Sequence, residues 1–498
     1  MGRPVGRCGL ARASPCYTMP LMADLDSHAT KPLAASPSAM NEVPAAPFAR
    51  IAPRIVAGSL ALILVSRVLL AVSGVWLAGD DGARYLQEGI NLSTYGVFSS
   101  EIGTHPAPTA HDLPLYPTLL AGIHWLTGEA TATARAAAVI NAFLYTLAAA
   151  GVYLICRKLV AGQRTALVAL WLFAVIPEGI PYSIFHMPES LFLALFTWSQ
   201  LFLIRCIQSG GVGALCASFS LLGLTILTKP ITVFYPVFAG LLILVFCHKM
   251  RFGRRVASAI AGLTLVALAL CPWVLRNWTA FHVAGLSTIT GTNLFDYNYR
   301  FILEDRHGTQ APEILKQQQA DILAGVDGQA SNPFVRSNAL GAAAKTGIKE
   351  SWQDYLVTTL KRHPRLYIGT GNIAFLKLLG SPTGSVAYNQ VASEGVYPAL
   401  RGLPATVLIA QVAGWLVLLL IYTLTGIGLF TLLQQKHWLA LALLGGGIAY
   451  FALLIGPVVH TRYRLAMSLY FAIAAGIGWL RIQRGMQARG SIRNQALT

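Results

Sequence analysis

Charged residues are scarce in this sequence of 498 residues, where Asp, Glu, Lys and Arg together make up 11% of the chain. A soluble globular protein carries roughly 25% charged residues, so the composition excludes an ordinary soluble protein. Acidic residues are the scarcer kind, with 20 Asp and Glu against 37 Lys and Arg. Hydrophobic residues, in contrast, make up 55% of the chain. This combination is typical of a polytopic membrane protein.

Cysteine is also sparse and shows no metal or disulfide pattern. The chain has seven cysteines, none of them in a C-x-x-C pair, and most lie within or at the ends of apolar segments. The spacing therefore predicts neither a disulfide framework nor a zinc site. Inside the apolar segments we interpret them as small packing residues.

Long apolar segments make up much of the sequence. A membrane helix needs about 20 mainly apolar residues. Ten windows meet this length or come close to it: 55–78, 133–156, 165–182, 187–207, 212–229, 231–248, 256–275, 405–433, 438–457 and 463–481. Shorter apolar stretches at 114–127 and 366–379 are typical of interfacial or re-entrant helices. The predicted fold is an all-α bundle of about ten transmembrane helices, and up to twelve.

The excess positive charge, +17 in all, falls mostly in short links between these windows. The charged links alternate along the chain: Arg157, Lys158 and Arg164; Arg205; Lys249, Arg251, Arg254 and Arg255; Lys436; Arg481, Arg484, Arg489 and Arg493. The positive-inside rule places these links and both termini in the cytoplasm. Because we interpret this positive charge as the signal that orients the helices in the membrane, we expect no nucleic-acid partner.

On this topology the chain divides into five segments. The predicted segments are a disordered cytoplasmic tail (1–50), an N-terminal transmembrane catalytic module (51–278) with its first outer loop (79–132), an extracytoplasmic domain (279–404), C-terminal transmembrane helices (405–482) and a cytoplasmic tail (483–498). No long apolar run precedes Ile55, so we interpret residues 1–50 as a tail and not as a cleaved signal peptide. Within the outer domain, Glu313 to Ala324 and Lys345 to Arg362 have helical patterns.

Polar residues suited to chemistry gather on the outward links. Asp80 and Asp81 follow the first window, with Tyr85 one helical turn after Asp81. The others lie at the outer ends of later windows: Glu189, Lys229, Arg276, His460, Arg462 and Arg464. Arg and Lys can hold a phosphate group, and a carboxylate beside them can take a proton from an attacking hydroxyl. Transfer of a sugar from a lipid phosphate needs this combination, because the charge of the leaving phosphate must be stabilised.

Each residue also has a structural interpretation, which the sequence leaves open. The Asp pair can cap a helix running from Gly82 to Ser93, and Glu189 can complement a helix dipole. Basic residues can extend to lipid head groups, and Tyr85 can belong to an interfacial aromatic belt. We expect His186 and His460 to be interfacial residues with satisfied hydrogen bonds and not metal ligands. The agreement of all these residues on one membrane face favours a functional site.

The order of short motifs resembles that of a known group. Asp81-x-x-x-Tyr85 and the motifs after it are similar to the first outer loop of GT-C membrane glycosyltransferases, in the group of the dolichyl-phosphate-mannose–protein mannosyltransferases and the lipid A aminoarabinose transferase (glycosyltransferase family 39-like). Similar motifs continue to about residue 480. The motifs are Asn91-Leu92, Gly96-Val97-Phe98-Ser99, Pro114-Leu115-Tyr116-Pro117, Pro188-Glu189-Ser190, Lys229-Pro230, Pro272-Trp273, Arg276-Asn277 and Arg462-Tyr463-Arg464.

The resemblance implies an inverting transferase. Together with the topology, it leads us to expect a multi-pass protein of the inner (plasma) membrane with its active site on the periplasmic side. Its donor would be a polyprenyl-phosphate-linked sugar, and its acceptor a lipid, a glycan or a protein. Asp81 matches the catalytic base because Tyr85 sets the register, and Asp80 is the competing assignment. Arg276 and Arg462 match phosphate or acceptor contacts. Some relatives use a divalent metal and others do not, so the resemblance implies no definite cofactor.

One departure concerns the residues before the Pro-Leu-Tyr motif. Many relatives have a basic residue there, whereas this chain has Asp112 and Leu113. If that basic residue binds lipid phosphate in the relatives, Lys229, Arg276, Arg462 or Arg464 must replace it here; otherwise this chain uses a different donor.

Two other functions compete with the transferase. A transporter or flippase of lipid-linked or anionic solutes predicts charges and broken helices near the bilayer midplane, often in two related halves. The charges here lie at the window ends, which favours the enzyme. A ligase or polymerase of lipid-linked glycans would share most of the chemistry.

Overall fold

The structure, a computed structural model, describes residues 46–73, 80–160, 162–326, 331–371 and 405–495, and it describes side chains from residue 53 onward apart from Asp80 and 488–495. These residues form helices and connecting turns, and no strand occurs among them. The predicted all-α class is therefore confirmed for the described part of the chain.

The helices are numbered here in chain order. They are α1 Ala46–Val72, α2 Asp80–Tyr95, α3 Leu115–Thr127, α4 Ala130–Val160, α5 Gln163–Ala174, α6 Gly179–Tyr182, α7 Glu189–Ser209, α8 Val212–Ile226, α9 Tyr235–Phe246, α10 Phe252–Phe281, α11 Ile289–Asn293, α12 Arg300–His307, α13 Ala311–Ala324, α14 Pro333–Glu350, α15 Trp352–Arg362, α16 Pro364–Ile368, α17 Ala405–Gln434, α18 Trp438–Ile455, α19 Thr461–Arg464 and α20 Ser468–Gln495.

Each of the ten apolar windows contains a helix. Seven helical segments in the described part of the chain are long and apolar enough to cross a membrane, and the apolar helices Val212–Ile226 and Pro230–Phe246 are shorter. The prediction of a polytopic membrane protein is confirmed, while the number of spans stays a prediction. Helix α1 begins before residue 51 and α20 runs through the predicted C-terminal tail to Gln495; residues 1–45 lie outside the described part.

The window at 165–182 is not one helix. Helix α5 ends at Ala174, and α6 is a single turn that follows Pro177 and contains Pro181. Proline lacks a backbone N–H donor and its ring clashes with the preceding turn, so Pro177 prevents α5 from continuing. The break places Glu178 in the bend between the two helices, fully buried in the bundle.

The long outer segment also forms helices, from α11 to α16, and residues 372–404 lie outside the described part of the chain. Helix α13 covers the predicted stretch from Glu313 to Ala324. The predicted stretch from Lys345 to Arg362 is helical except at Ser351, where one helix ends and the next begins, between α14 and α15. The predicted end is confirmed, since α15 stops at Arg362 and Pro364 begins the next short helix.

The first outer loop packs onto the beginning of this outer segment. The backbone N–H of Thr288 donates to the carbonyl of Ala110 at 2.9 Å, and the Ser287 hydroxyl donates to the carbonyl of His111 at 2.5 Å. In the same loop, the N–H of Leu115 donates to the carbonyl of Leu227 at the end of α8. These bonds bring the outer loop, the outer segment and the ends of membrane helices to one end of the bundle.

Candidate active site

Asp81 lies in the first turn of α2 and contacts two arginines from distant parts of the chain. Its Oδ1 is 3.0 Å from Nη1 of Arg84, one turn later on the same helix. Its Oδ2 accepts a hydrogen bond of 2.7 Å from Nη1 of Arg462, which is 381 residues away in α19. The side chain of Asp81 is 34% exposed, so the carboxylate remains open to water.

The two arginines determine the protonation state of Asp81. Burial opposes ionisation, but the hydrogen bond and charge of Arg462 and those of Arg84 outweigh it and lower the pKa of Asp81 below its ordinary value of 3.8. At neutral pH the group is therefore a carboxylate. Because both of its oxygens are engaged with cations, it is also a weak base in this arrangement.

Arg84 is held by a second, buried carboxylate. Its Nε donates to Oδ2 of Asp112 at 2.5 Å, and its Nη2 lies 3.4 Å from Oδ1 of the same residue. The Asp112 side chain is 1% exposed, whereas that of Arg84 is 25% exposed. Asp112, just before the Pro-Leu-Tyr motif, thus orients a cation of α2 toward Asp81.

Glu88, one turn after Arg84, is fully buried beside this pair. Among the described residues, neither of its carboxyl oxygens receives a hydrogen bond. Burial, together with the neighbouring Asp112 carboxylate, raises the pKa of Glu88 to about 10. Glu88 is therefore a neutral carboxylic acid at pH 7, and the protonated group can donate a hydrogen bond to Asp112.

His460 fixes the backbone that carries Arg462. It is the N-cap of α19, and its Nδ1 accepts a 3.1 Å hydrogen bond from the backbone N–H of Arg462. An accepting Nδ1 requires the ring to be neutral, with its proton on Nε2. This contact supports a capping role for His460, in line with the structural interpretation of the sequence.

Glu189 and Lys229 form a second ion pair next to Arg462. Nζ of Lys229 lies 2.8 Å from Oε1 of Glu189, and the two side chains are 16% and 2% exposed. This pair and Arg462 line the same narrow cavity. It is lined by Glu189, Phe192, Lys229, Ile231, Arg462, Tyr463, Leu465 and Ala466. The structure thus brings together four of the predicted site residues: Asp81, Glu189, Lys229 and Arg462.

Arg464 lies apart from this group. Its guanidinium forms two 2.5 Å hydrogen bonds with the carboxylate of Glu178 and donates to the carbonyls of Leu366 and Tyr367. The residue is 1% exposed. With its donors satisfied inside the protein, Arg464 links α19 to the bend after α5 and to α16.

Arg276 also lies apart, against the first outer loop. Its Nη1 donates to the carbonyl of Thr109 at 2.8 Å, and its Nη2 lies 3.3 Å from the carbonyl of Phe98. Its guanidinium carbon is 4.9 Å from the ring centroid of Trp273. These contacts join the end of α10 to the loop and give Arg276 a structural role in this arrangement.

The remaining predicted residues are placed as follows. Tyr85 packs edge-on against Tyr116 with ring centroids 5.7 Å apart. The buried ring of His186 is 2.8 Å from the carbonyl oxygen of Ala134. The backbone of Asp80 begins α2, but its side chain lies outside the described residues, so its competition with Asp81 stays open. Within the described residues, no group of three or more His, Cys, Asp or Glu has a geometry that could hold a metal ion.

Sequence reasoning missed four residues that shape this region. Arg84 follows Asp81 at a spacing that puts both on one helical face, and this spacing was a usable signal. In the sequence, Asp112 stands out only because an acidic residue occupies a position where a basic residue is expected. Glu88 carried no signal of its own, whereas Glu178, a carboxylate inside an apolar window, was a recognisable exception to membrane composition.

Comparisons with known proteins agree with the motifs. Residues 105–275 match the family model described as dolichyl-phosphate-mannose-protein mannosyltransferase. This match confirms the resemblance predicted from the sequence, over about a third of the chain, and with the apolar helices it supports a membrane protein related to glycosyltransferases. No curated protein sequence matches the chain.

Among solved structures, the crystal structure of ArnT from Cupriavidus metallidurans in the apo state is similar at 14% sequence identity. The match covers 85% of this chain and 76% of that chain, with a TM-score of 0.36. At this level of similarity, the roles of individual residues rest on the geometry of this chain alone.

Proposed function

We propose that this protein is a membrane glycosyltransferase that moves a sugar from a polyprenyl-phosphate-linked donor to a hydroxyl of an acceptor on the outer face of the inner membrane. The single observation that carries the proposal is the contact of Asp81 with Arg84 and Arg462, beside the cavity that Lys229 also lines. A base and several cations at one end of a membrane bundle are what sugar transfer from a lipid phosphate requires.

In the proposed reaction, the acceptor hydroxyl oxygen forms a bond with the anomeric carbon of the sugar. The bond between that carbon and the phosphate oxygen breaks, and polyprenyl phosphate leaves with the bonding electrons. Asp81 takes the hydroxyl proton, while Arg462 and Lys229 stabilise the charge that develops on the phosphate. Attack on the face opposite the phosphate inverts the anomeric configuration, as the resemblance implies.

The other charged residues are proposed to support this site. Arg84 orients Asp81, and Asp112 orients Arg84 through the buried pair. Arg464 and Arg276 hold neighbouring elements in place and have no proposed contact with the donor. The helices of the outer segment are proposed to cover the site and to select the acceptor, whether lipid, glycan or protein.

The test is release of polyprenyl phosphate from polyprenyl-phospho-sugars by the purified protein in lipid bilayers, with membrane extract as the source of acceptor. We expect release by the wild type, and loss of at least about 100-fold in Asp81→Asn, because general-base catalysis contributes about that much or more. Asp80→Asn should keep most of the activity, and Asp354→Asn in α15 is the matched control for loss of one carboxylate.

Other results would change the assignment. If only Asp80→Asn loses activity, the protein is still a transferase, but the general base is Asp80 and not Asp81. If the wild type released no polyprenyl phosphate from any donor, while liposomes containing it moved lipid-linked or anionic solutes, the transporter would replace the transferase.

A further inference from the structure

Each cation around Asp81 already has a carboxylate partner in the described part of the chain. The three ion pairs are Arg84 with Asp112, Arg462 with Asp81, and Lys229 with Glu189. A phosphate group that enters this cluster finds no unoccupied cation among these three. A phosphate that binds one of these cations therefore competes with the carboxylate it already holds, because two anions that share one cation repel each other.

Burial determines which carboxylate is displaced. The side chains of Asp112 and Glu189 are 1% and 2% exposed, so loss of their partners would leave a buried, unpaired charge. The Asp81 side chain is 34% exposed and would keep its contact with Arg84 after losing Arg462. Breaking the pair of Asp81 with Arg462 is consequently the least costly exchange.

Arg462 also has hydrogen-bonding capacity that the protein does not use. Its Nε has no acceptor among the described residues, and its Nη2 has only a long contact, 3.5 Å from the Tyr463 hydroxyl. The residue lines the cavity together with Lys229. The cavity, at about 10 Å³, has room for about one water molecule, so a phosphate enters only if the side chain of Arg462 moves. Once there, the phosphate would supply several acceptor oxygens at once, which one carboxylate oxygen of Asp81 does not.

We infer that the phosphate of the lipid-linked donor competes with Asp81 for Arg462, so that donor binding itself releases Asp81 to act as the base. The inference rests on the proposed function and deepens it. Before the donor binds, two cations hold the carboxylate in a weakly basic state. Once Arg462 turns to the phosphate, Asp81 keeps only Arg84 and gains affinity for the proton of the acceptor hydroxyl.

Competition between the phosphate and Asp81 for Arg462 predicts that loss of Asp81 strengthens phosphate binding. Affinity for labelled polyprenyl phosphate is measured with the purified protein in lipid nanodiscs. Asp81→Asn, although inactive in transfer, should bind polyprenyl phosphate about fivefold more tightly than the wild type, because a competitor for a partly exposed cation is gone. Arg462→Gln should bind it more weakly. Asp81→Ser, in which the carboxylate is absent altogether, should repeat the effect of Asp81→Asn.

A double mutant separates competition from the general effect of removing negative charge. In the Arg462→Gln background, Asp81→Asn should no longer increase affinity, since the contested cation is absent. Asp354→Asn, which removes one carboxylate in the outer segment, should leave affinity unchanged. An increase of the same size in the Arg462→Gln background would overturn the inference.

The remaining outcomes distinguish this inference from the proposed function. Suppose that the wild type binds polyprenyl phosphate and releases it from donors, but Asp81→Asn and Asp81→Ser bind it no more tightly. The phosphate then does not compete with Asp81 for Arg462, and the proposed transferase function is unaffected. If neither the wild type nor any variant binds polyprenyl phosphate, the proposed function fails and the exchange fails with it.

Discussion

Nε of Arg84 lies 2.5 Å from Oδ2 of Asp112, whose side chain is 1% exposed, and this contact orients the guanidinium that pairs with Asp81. The same guanidinium reaches Asp81 through Nη1 at 3.0 Å. One arginine thus joins the first turns of α2 to the segment just before α3. The orientation of the proposed base depends on a residue, Asp112, that does not contact it.

Asp112→Asn should therefore lower both stability and transfer. The substitution removes a charge partner that is 1% exposed, but Arg84 remains partly exposed and keeps Asp81, so we expect a loss of about 2 kcal/mol. Thermal unfolding in detergent measures the stability, and release of polyprenyl phosphate measures transfer. Asp354→Asn breaks a surface pair with Arg306 and should change stability by less than about 1 kcal/mol. Equal shifts in the two variants would contradict the role of Asp112.

Glu88→Gln should be tolerated at neutral pH and should change how stability depends on pH. The folded-state pKa of Glu88, about 10, lies above the ordinary value of 4.5, so the folded protein binds more protons between these values. Stability of the wild type should then fall as pH rises through this range, and this contribution is absent in Glu88→Gln. Between pH 6 and about pH 9, the unfolding temperature of Glu88→Gln should therefore rise relative to that of the wild type. A constant difference would show that Glu88 is ionised in the fold.

The pH profile of transfer should reveal the exchange at Arg462. In the free protein the pKa of Asp81 is lowered below 3.8, so the acid limb of kcat/KM should lie below about pH 4. With donor bound and Arg462 on the phosphate, the pKa of Asp81 rises, so the acid limb of kcat should lie at higher pH. Initial rates across pH at low and saturating donor give both profiles. Coincident limbs would argue against release of Asp81 by the donor.

Arg464→Met should destabilise the fold more than any other substitution discussed here. It leaves the carboxylate of Glu178 fully buried without its partner, and loss of one partner of a buried pair costs about 3–5 kcal/mol. Glu178→Gln should be similarly damaging, whereas the double variant with Glu178→Met should recover part of the loss. Thermal unfolding of the three variants measures this. A stable Arg464→Met protein with a raised KM for donor would instead return Arg464 to the substrate site.

Arg276→Gln should loosen the first outer loop without removing the chemistry. The loss of hydrogen bonds to Thr109 and Phe98 and of the stacking on Trp273 should expose residues 98–112 to proteases. We expect faster limited proteolysis in this loop and a decrease in transfer of less than about tenfold, since no donor contact is lost. A loss as large as that of Asp81→Asn would show that Arg276 acts on the substrate.

Hydropathy along the chain was sufficient to predict an all-helical polytopic membrane protein, while the number of spans and their orientation stay predictions. Windows of about 20 apolar residues predicted where helices lie, because a segment that crosses a bilayer must satisfy its backbone internally. The window at 165–182 and the stretch from Lys345 to Arg362 were predicted as continuous and are broken. Proline explains the first break. For the second, between α14 and α15, the helical pattern runs through Ser351 without a clear stop signal.

Which residues come together in the candidate site depends on the tertiary structure. The sequence by itself determined that acids and bases collect at the ends of apolar windows, and its motifs singled out Asp81. It did not determine that Arg462 meets Asp81 while Arg464, two residues later, meets Glu178. These pairings join residues more than 280 positions apart, where no helical period applies. In a medium of low dielectric a charge must find a partner, and which partner it finds depends on how the helices pack.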